Sequence, residues 1–338
     1  MFVSFGLRFR VEVEALNMAE AVGNYARHRV APVLMSERGE NGGVLGYKIT
    51  MAPAVSGQSI AFGYMSALVK LALASERQLP VCDECKNYEK LGGFFKRADK
   101  PEVRHDERVK TCVVEDLTGF MATKEKEKER RGTKEKEKEG MATKERGMVT
   151  RRTSPVMFSY MVPDAASARG VLVPQLHVRY NLADPDKQVP YQIEAGAAVY
   201  IHGVAIDIER IGRLENGSYV DDRDRRVELA FDALKALYGG LLFGAKKARY
   251  LPIIEALGGI AAVSHPMPFM VTPPRLGDYV SENLKRAKKF GVGAVQLFCF
   301  DREGVTSCGK DSNVDAASSL EELVDKVKSA VLGNLTKK

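Results

Sequence analysis

The sequence predicts an α+β fold built on a split β-α-β core. Strand and helix patterns alternate irregularly along the chain, and the strand patterns are long enough to pair as antiparallel neighbours. The 338 residues are 45% apolar and 28% charged, which is typical of a globular protein. We expect one elaborated domain over residues 1–338.

The first strand is predicted over residues 2–15, where apolar and charged residues alternate. One face carries Leu7, Phe9, Val11 and Val13, and the other carries Arg8, Arg10, Glu12 and Glu14. Because successive side chains of a strand point to opposite faces, we expect the charged set to face solvent. Arg8 and Arg10 would then extend a basic patch next to the segment that follows.

The remaining elements follow from the same periodicities and from turn residues. Further strands are predicted over 47–54, 171–180, 192–211, 258–265 and 294–301, and helices over 58–76, 222–242, 278–290 and 319–332. Ser56 is the predicted N-cap of the first helix. A turn cluster over 184–190 separates two of the strands.

Residues 122–149 form a low-complexity insert with the repeats ATKEKEKERRG, TKEKEKEG and ATKERG. The insert has no apolar periodicity, so we expect a flexible loop inside the domain. Ten Lys or Arg and seven Glu lie between Lys124 and Arg146, which places +3 of the net charge of +7 there. The milder excess elsewhere makes the position of each basic residue more informative than the total.

Composition also narrows the cellular setting. No apolar run reaches the ~20 residues of a membrane span, and the amino terminus lacks a signal-peptide layout, so we expect a cytoplasmic protein without a membrane partner. The five cysteines do not resemble a secreted disulfide framework. Only nine Asn and six Gln accompany many Lys, Arg and Glu, which leans toward a thermophilic source.

The stretch Leu16–Val33, LNMAEAVGNYARHRVAPV, concentrates hydrogen-bond donors and positive charge. Arginine offers a planar fork to phosphate oxygens, and amide side chains both donate and accept. The alternative is a polar helix start or loop with solvated side chains. The candidate residues for binding phosphate oxygens or sugar hydroxyls in this stretch are Asn17, Asn24, Arg27, His28 and Arg29.

Other segments share this basic character at strand ends. Ser56 and Gln58 lie where a strand turns into a helix, a position whose free N–H groups suit phosphate, although most such caps bind nothing. His177 and Arg179 share one strand face, and the turn GAKKARYLP (244–252) adds Lys246, Lys247 and Arg249. Together the segments favour a groove that follows a nucleic-acid backbone over a small-molecule pocket. No aromatic-rich motif indicates base reading.

Signals for catalysis or a metal are weaker. Cys82 and Cys85 form one CxxC, followed by His105 and Cys112, but only one pair is tightly spaced, so no metal or other cofactor is predicted. Glu115 and Asp116 are adjacent carboxylates, which would point to opposite faces of a strand. No phosphate-binding loop, zinc-protease motif or catalytic triad order occurs. We assign no catalytic residue.

These residues resemble a known family, the CRISPR-associated RAMP proteins of the DevR autoregulator type, and within it the archaeal type I-A Cascade backbone protein. The resemblance rests on LNMAEAVGNYARHRVAPV, PAVSGQSIAFGY, VEDLTGF with RRTSPVMFSYMVP, and QLHVRYN. It covers nearly the whole chain except the Lys/Glu-rich insert, which departs from the family pattern.

The resemblance implies an RRM-like (ferredoxin-like) palm with inserted helical elements and a projecting thumb hairpin at about 158–190. It also implies CRISPR RNA as the partner, with target DNA engaged indirectly through the guide. Copies would stack head to tail into a helical filament, next to other Cascade subunits. The palm would hold the candidates of Leu16–Val33, with Ser56 and Gln58 near the RNA, His177 in the thumb and the 246–249 cations on the same face.

Two alternatives remain open. A metal-independent RAMP endoribonuclease that processes CRISPR RNA would use His28 or His177 as its general base. A DNA-binding regulator would need sequence-specific duplex binding, although no helix-turn-helix pattern occurs.

Overall fold

A computed structural model describes residues 1–74, 78–91, 103–123, 149–165, 170–184 and 186–336. It confirms the predicted α+β class. Of the predicted flexible insert, residues 124–148 lie outside the described residues. The two flanks of the insert, β6 (Phe120–Thr123) and β7 (Val149–Arg152), pair as antiparallel strands.

The structure contains all ten predicted strands and helices, together with further strands and helices that the sequence did not predict. The other strands are β1 (Phe2–Glu14), β2 (Met18–Val22), β3 (Tyr25–His28), β4 (Val30–Arg38), β5 (Val44–Pro53), β8 (Val156–Phe158), β9 (Val162–Pro163), β10 (Val171–Arg179), β11 (Val189–Asp207), β12 (Ile253–Pro266), β13 (Gly293–Asp301) and β14 (Val314–Ala316). The helices are α1 (Gly57–Ala74), α2 (Asp83–Lys86), α3 (Tyr88–Leu91), α4 (His105–Thr111), α5 (Val113–Thr118), α6 (Arg223–Gly239), α7 (Tyr279–Lys289) and α8 (Leu320–Leu335).

The central sheet is mixed and has the order β14-β13-β12-β1-β11-β3-β2. Strand β1 is central and pairs antiparallel with β11 on one side and with β12 on the other. The long strand β11 also pairs antiparallel with β10. Two pairings are parallel, that of β3 with β11 and that of β14 with β13. The first residues of β11, 189–195, pair with β10 but not with β1, so the β10–β11 hairpin extends beyond the end of β1.

Two apolar layers cover the sheet. Helices α1, α6 and α8 pack on one face, where Phe5, Leu7 and Phe231 are buried in the main core. Helix α7 packs on the other face with Ile260 and Leu297. None of the helices in the described ranges is both long and apolar enough to span a bilayer.

The predicted solvent-facing charge on β1 is wrong for Arg8, because this second layer covers that face. The Arg8 side chain is 1% exposed, and its Nε donates to Glu303 Oε2 over 2.6 Å while Nη1 pairs with Asp164. Arg10 is exposed but lies 3.0 Å from a carboxylate oxygen of Glu255. Strand β1 therefore anchors the fold and does not extend a basic patch.

A β-bulge reverses the predicted facing at the end of β1. The register shifts between Val11 and Glu14, and Val13 adopts a positive φ of 48°. An extra residue in one strand moves every later side chain to the opposite face. Val13 is consequently exposed, and Glu14 points into the protein.

The described cysteines include one disulfide, Cys299–Cys308, which the sequence did not predict. It links β13 to the loop before β14, within the layer that α7 covers. Cys82, Cys85 and Cys112 are free thiols.

Candidate nucleic-acid interface

His28 anchors the stretch Leu16–Val33 to the sheet through Glu14. The Glu14 carboxylate accepts hydrogen bonds from His28 Nε2 (2.8 Å), the Leu16 N–H (2.6 Å) and the Tyr200 hydroxyl (2.7 Å). The Glu194 carboxylate accepts a hydrogen bond from the His28 backbone N–H over 2.7 Å. The His28 side chain is 0% exposed, so our expectation that it lies on the RNA-facing surface is wrong. It positions its neighbours.

Both ring nitrogens of His28 face acceptors, since Nδ1 lies 2.8 Å from the Arg29 carbonyl oxygen. Carbonyl and carboxylate oxygens only accept, so the doubly protonated ring fits this site. Burial opposes the charged ring, but the hydrogen bond and charge of Glu14 outweigh it and raise the pKa of His28. For Glu14, burial is likewise outweighed by His28, which lowers the pKa of the carboxyl.

A pH-dependent stability difference should follow between the wild type and the variant His28→Gln. Because the folded pKa of His28 is raised, its stabilisation is fully present below its ordinary pKa of 6.5 and is lost as pH rises through the folded value. Denaturant unfolding from about pH 6 to about pH 9, a range above the titration of Glu14, should show that the difference in unfolding free energy between the two proteins shrinks as the pH rises. A difference that stays constant over this range contradicts the assignment.

Asn17 and Ser56 also form hydrogen bonds that hold the fold together. Asn17 Oδ1 accepts the Ser56 N–H over 2.7 Å, and both residues are buried. Ser56 Oγ in turn accepts the Ser59 N–H over 3.2 Å, as an N-cap of α1 does. The predicted role of these two residues as direct RNA contacts is therefore corrected to one of joining β1, β5 and α1.

Gln58, in contrast, is exposed at the first turn of α1. It lines a cleft of about 370 Å³ with Thr118, Ser154 and Phe158. This cleft shares no lining residue with the groove described next.

Three other predicted residues, His177, Arg179 and Arg249, contact Tyr191. Tyr191 stands directly opposite His177 in the β10–β11 register, and the two rings stack with centroids 5.3 Å apart. The Arg179 guanidinium lies 4.8 Å from the Tyr191 ring centroid, and the Arg249 guanidinium lies 5.6 Å from it. Arg249 also donates a hydrogen bond to the Tyr191 hydroxyl, and Tyr250 shares one with His177. We call these five residues the Tyr191 cluster.

A groove of about 180 Å³ runs beside the Tyr191 cluster. Asn24 from the β2–β3 turn, Arg179 from β10 and Lys246 from the 244–252 loop line it. All three side chains are exposed. Polar and cationic groups from three separate chain segments thus meet at one surface.

The remaining predicted cations differ in availability. Arg27 is 53% exposed, with its Nε 3.9 Å from Glu194, so most of its guanidinium faces solvent. Arg29 is half-buried, and its Nε has no hydrogen-bond partner among the described residues. Lys247 is turned inward and donates to the Leu241 carbonyl oxygen over 2.7 Å. Burial, aided by the charge of Lys70, lowers the pKa of Lys247.

This arrangement suits a flexible polyanion. Guanidinium and ammonium groups bind phosphate oxygens, and the exposed Asn24 can bind sugar hydroxyls or base edges. The Tyr191 ring holds the Arg179 and Arg249 side chains in place through cation–π contacts, which reduces the entropy lost on binding. The surface can therefore bind a phosphate backbone with preorganised cations.

Sequence reasoning missed Tyr191 and Tyr250. A signal was present, since the predicted turn at 184–190 joins two strands whose antiparallel pairing places Tyr191 near His177. Tyr250 lies in the basic loop itself, where only the cations drew attention.

Glu115 and Asp116 lie on helix α5, not on a strand as expected, and both are buried. Asp116 pairs with Arg152 and, at 3.0 Å, with Arg226, while Glu115 lies 3.3 Å from Arg108. The VEDLTGF and RRTSP stretches are thus joined by ion pairs. These carboxylates have a structural role.

Comparisons with known proteins point to one protein family. The family model for the CRISPR-associated negative auto-regulator DevR/Csa2 matches residues 5–284. The CRISPR-associated protein Cas7/Csa2 1 of Saccharolobus solfataricus is 34% identical over 302 residues, which span 82% of this chain and 83% of that protein. The CRISPR-associated aCascade subunit Cas7/Csa2 2 of the same organism is 27% identical over an alignment of 355 positions, which covers 96% of this chain and 99% of that protein.

The fold is also similar to chains of two solved assemblies. One, a CRISPR RNA-guided surveillance complex, aligns with a TM-score of 0.52 at 11% identity over 98% of this chain and all of that chain. A CRISPR RNA-guided surveillance complex in a pre-nicking state aligns with a TM-score of 0.54 at 10% identity over 98% and 99%. The family match extends over most of the sequence, and the chain therefore belongs to the DevR/Csa2 family of CRISPR-associated proteins.

Proposed function

We propose that this protein is the CRISPR RNA-binding backbone subunit of a type I-A Cascade complex. The observation that carries the proposal is the groove beside the Tyr191 cluster, where polar and cationic side chains from three chain segments converge. Family membership and the names of the relatives support the assignment. The protein acts without catalysis, by holding the guide.

Phosphate contacts fix the position of a nucleic acid without reading its sequence. In this proposal Asn24, Arg27, Arg179, Lys246 and Arg249 bind the sugar-phosphate backbone of single-stranded RNA. The bases then remain available for pairing with target DNA. Arg29, which is half-buried, is a further proposed phosphate ligand.

The strand order supports an RRM-like palm. Strands β12, β1, β11 and β8 lie side by side in that order, all antiparallel, which is the order of a split β-α-β core with α1 and α6 as its helices. Strands β8 and β9 pair with β11 inside the sheet, so the proposed thumb begins at β10 and includes the first half of β11.

Exposed apolar side chains support assembly with partners. Leu34, Tyr47 and Ile49 on the β4–β5 hairpin and Leu176 and Tyr180 on the thumb are largely exposed. Large exposed apolar surfaces commonly mark protein interfaces. We assign them to contacts with neighbouring copies or other Cascade subunits, and a head-to-tail contact that does not close produces a helical filament.

Native mass spectrometry with single-stranded RNAs of increasing length tests the proposal. The nuclease-treated, salt-stripped protein should add one further copy for each fixed increment of RNA length. A matched duplex DNA series serves as the control and should bind more weakly. One copy at every RNA length, or a preference for duplex DNA, would contradict the backbone role.

The endoribonuclease alternative receives little support from the histidines. His28 is buried against Glu14, and the Nε2 of His177 shares a hydrogen bond with Tyr250. Incubating the protein with repeat-containing RNA in a chelator should leave the RNA intact. Cleavage at a defined site that disappears in His177→Ala would establish the enzyme instead.

Tyr191 should affect RNA affinity without changing the number of charges. In Tyr191→Leu the ring that orders Arg179 and Arg249 is lost, and each cation–π contact contributes about 0.5–1 kcal/mol at exposed sites. We expect affinity to fall about fivefold, with an unchanged slope of log affinity against log salt. Filter binding at several salt concentrations measures both quantities. A reduced slope would mean that phosphate contacts themselves depend on Tyr191.

A further inference from the structure

Three thiols that are distant from the Tyr191 cluster in sequence converge in the structure. The sulfur atoms of Cys82, Cys85 and Cys112 all lie within 4.8 Å of one another. In a tetrahedral zinc–thiolate site with Zn–S bonds of about 2.3 Å, the sulfur atoms lie about 3.8 Å apart. The three sulfur atoms are therefore close enough to share one ion after small side-chain adjustments.

The backbone around the thiols is held in place independently of any ion. Cys82 is the N-cap of α2, and its Sγ accepts the Cys85 N–H over 3.4 Å. Cys112 lies at the junction of α4 and α5, and the adjacent Val113 N–H donates to the Pro80 carbonyl oxygen over 2.8 Å. Two chain segments are thus fixed so that their thiols face each other.

Burial of the thiols is graded. Cys85 and Cys112 are buried, whereas Cys82 is half-buried. A group of three sulfur atoms, one of which is reachable from solvent through the half-buried Cys82, is the kind of donor set that a soft divalent cation prefers.

His105 does not complete a Cys-Cys-His-Cys set, although its place in the sequence would allow it. Its Nδ1 lies 3.0 Å from Asp106 Oδ1, and its Nε2 lies 3.4 Å from Arg152. Among the described residues, the metal-capable group around the thiols has three members, Cys82, Cys85 and Cys112.

We propose that Cys82, Cys85 and Cys112 bind one zinc ion as thiolates, with water or another exogenous ligand in the fourth position. Binding displaces the protons of those thiols that are neutral. The ion would tie α2 to the α4–α5 junction and so fasten this helical layer to α1. The alternative is that the thiols pack as small apolar side chains in the core, as free cysteines often do.

Metal analysis of the full chain tests the proposal. After nuclease treatment and dialysis against EDTA, the wild type should retain about one zinc per chain by inductively coupled plasma mass spectrometry. Cys82→Ser, which changes the half-buried thiol, should lose most of that zinc. The double variant Cys299→Ser/Cys308→Ser removes the two remaining cysteines of the chain and should keep it.

A second readout reports geometry. After exchange into cobalt, the wild type should show a thiolate-to-cobalt charge-transfer band and the intense visible bands of a tetrahedral site, and Cys82→Ser should lack them. A chelator that removes the metal should lower the unfolding midpoint of the wild type but not that of Cys82→Ser. A zinc-free wild type, a disulfide between any two of the three cysteines, or equal zinc in Cys82→Ser and the wild type would overturn the proposal.

Discussion

Replacing Arg179 and Arg249 together by alanine should lower the affinity for single-stranded RNA about 100-fold at low salt. Both guanidiniums lie at the Tyr191 ring and face solvent. A hydrogen bond to a charged group contributes about 1.5–3 kcal/mol, and the loss of two such contacts costs about 3 kcal/mol or more. The slope of log affinity against log salt should fall by about 1.4, because each phosphate contact on a single strand contributes about 0.7.

Helix α7 supplies a control for lost charge. Lys285 and Lys288 are exposed on this helix, which packs against β12 and β13 and contributes no residue to the groove. The double variant Lys285→Ala/Lys288→Ala removes the same net charge and should change affinity only slightly. If both double variants lose affinity equally, binding depends on net charge and the Tyr191 cluster is not the site.

Asp116→Ala should destabilise the fold by about 3–5 kcal/mol, the cost of leaving buried charges without a partner. Asp116 is fully buried and pairs with Arg152 and Arg226, and Arg226 itself is 1% exposed. The carboxylate also accepts the Gly212 N–H over 2.9 Å. Removing it leaves two guanidiniums in the interior with fewer acceptors. Guanidinium chloride unfolding followed by circular dichroism measures the loss.

Asp222 supplies the matched control for that prediction. It pairs with the same Arg226 over 2.7 Å, but its side chain is 22% exposed at the start of α6. Water replaces part of this interaction, so Asp222→Ala should cost only about 1 kcal/mol. Equal losses in the two variants would show that burial of Asp116 does not govern the energetics of the network.

Periodicity predicted ten elements, among them the longest strands and helices, because each of these carries its own apolar pattern. The helix expected over 278–290 is Tyr279–Lys289, and the strand expected over 171–180 is Val171–Arg179. The predicted facing of β1 was wrong for two reasons, one outside the strand and one within it. The layer under α7 buries Arg8 from the second face, and one bulge residue turns Glu14 inward.

The site was predictable to the extent that its residues are exposed. Asn24, Arg179 and Lys246 come together at one groove because the β10–β11 hairpin and the 244–252 loop converge there. His28 and Asn17 have the same chemistry as phosphate ligands, yet buried partners occupy them. A sequence does not reveal which of two identical donors meets a buried carboxylate, since that depends on strand register.

Cross-linking of a bound guide RNA tests the central assignment most directly. The protein would be assembled with a CRISPR RNA, irradiated with ultraviolet light and digested, and the peptides that carry nucleotides would be identified by mass spectrometry. We predict cross-links in β3, at the start of β11 and at the exposed cations of the 244–252 loop, with Tyr25 and Tyr191 as the reactive rings. Cross-links confined to the Gln58 cleft or to α7 would contradict the account.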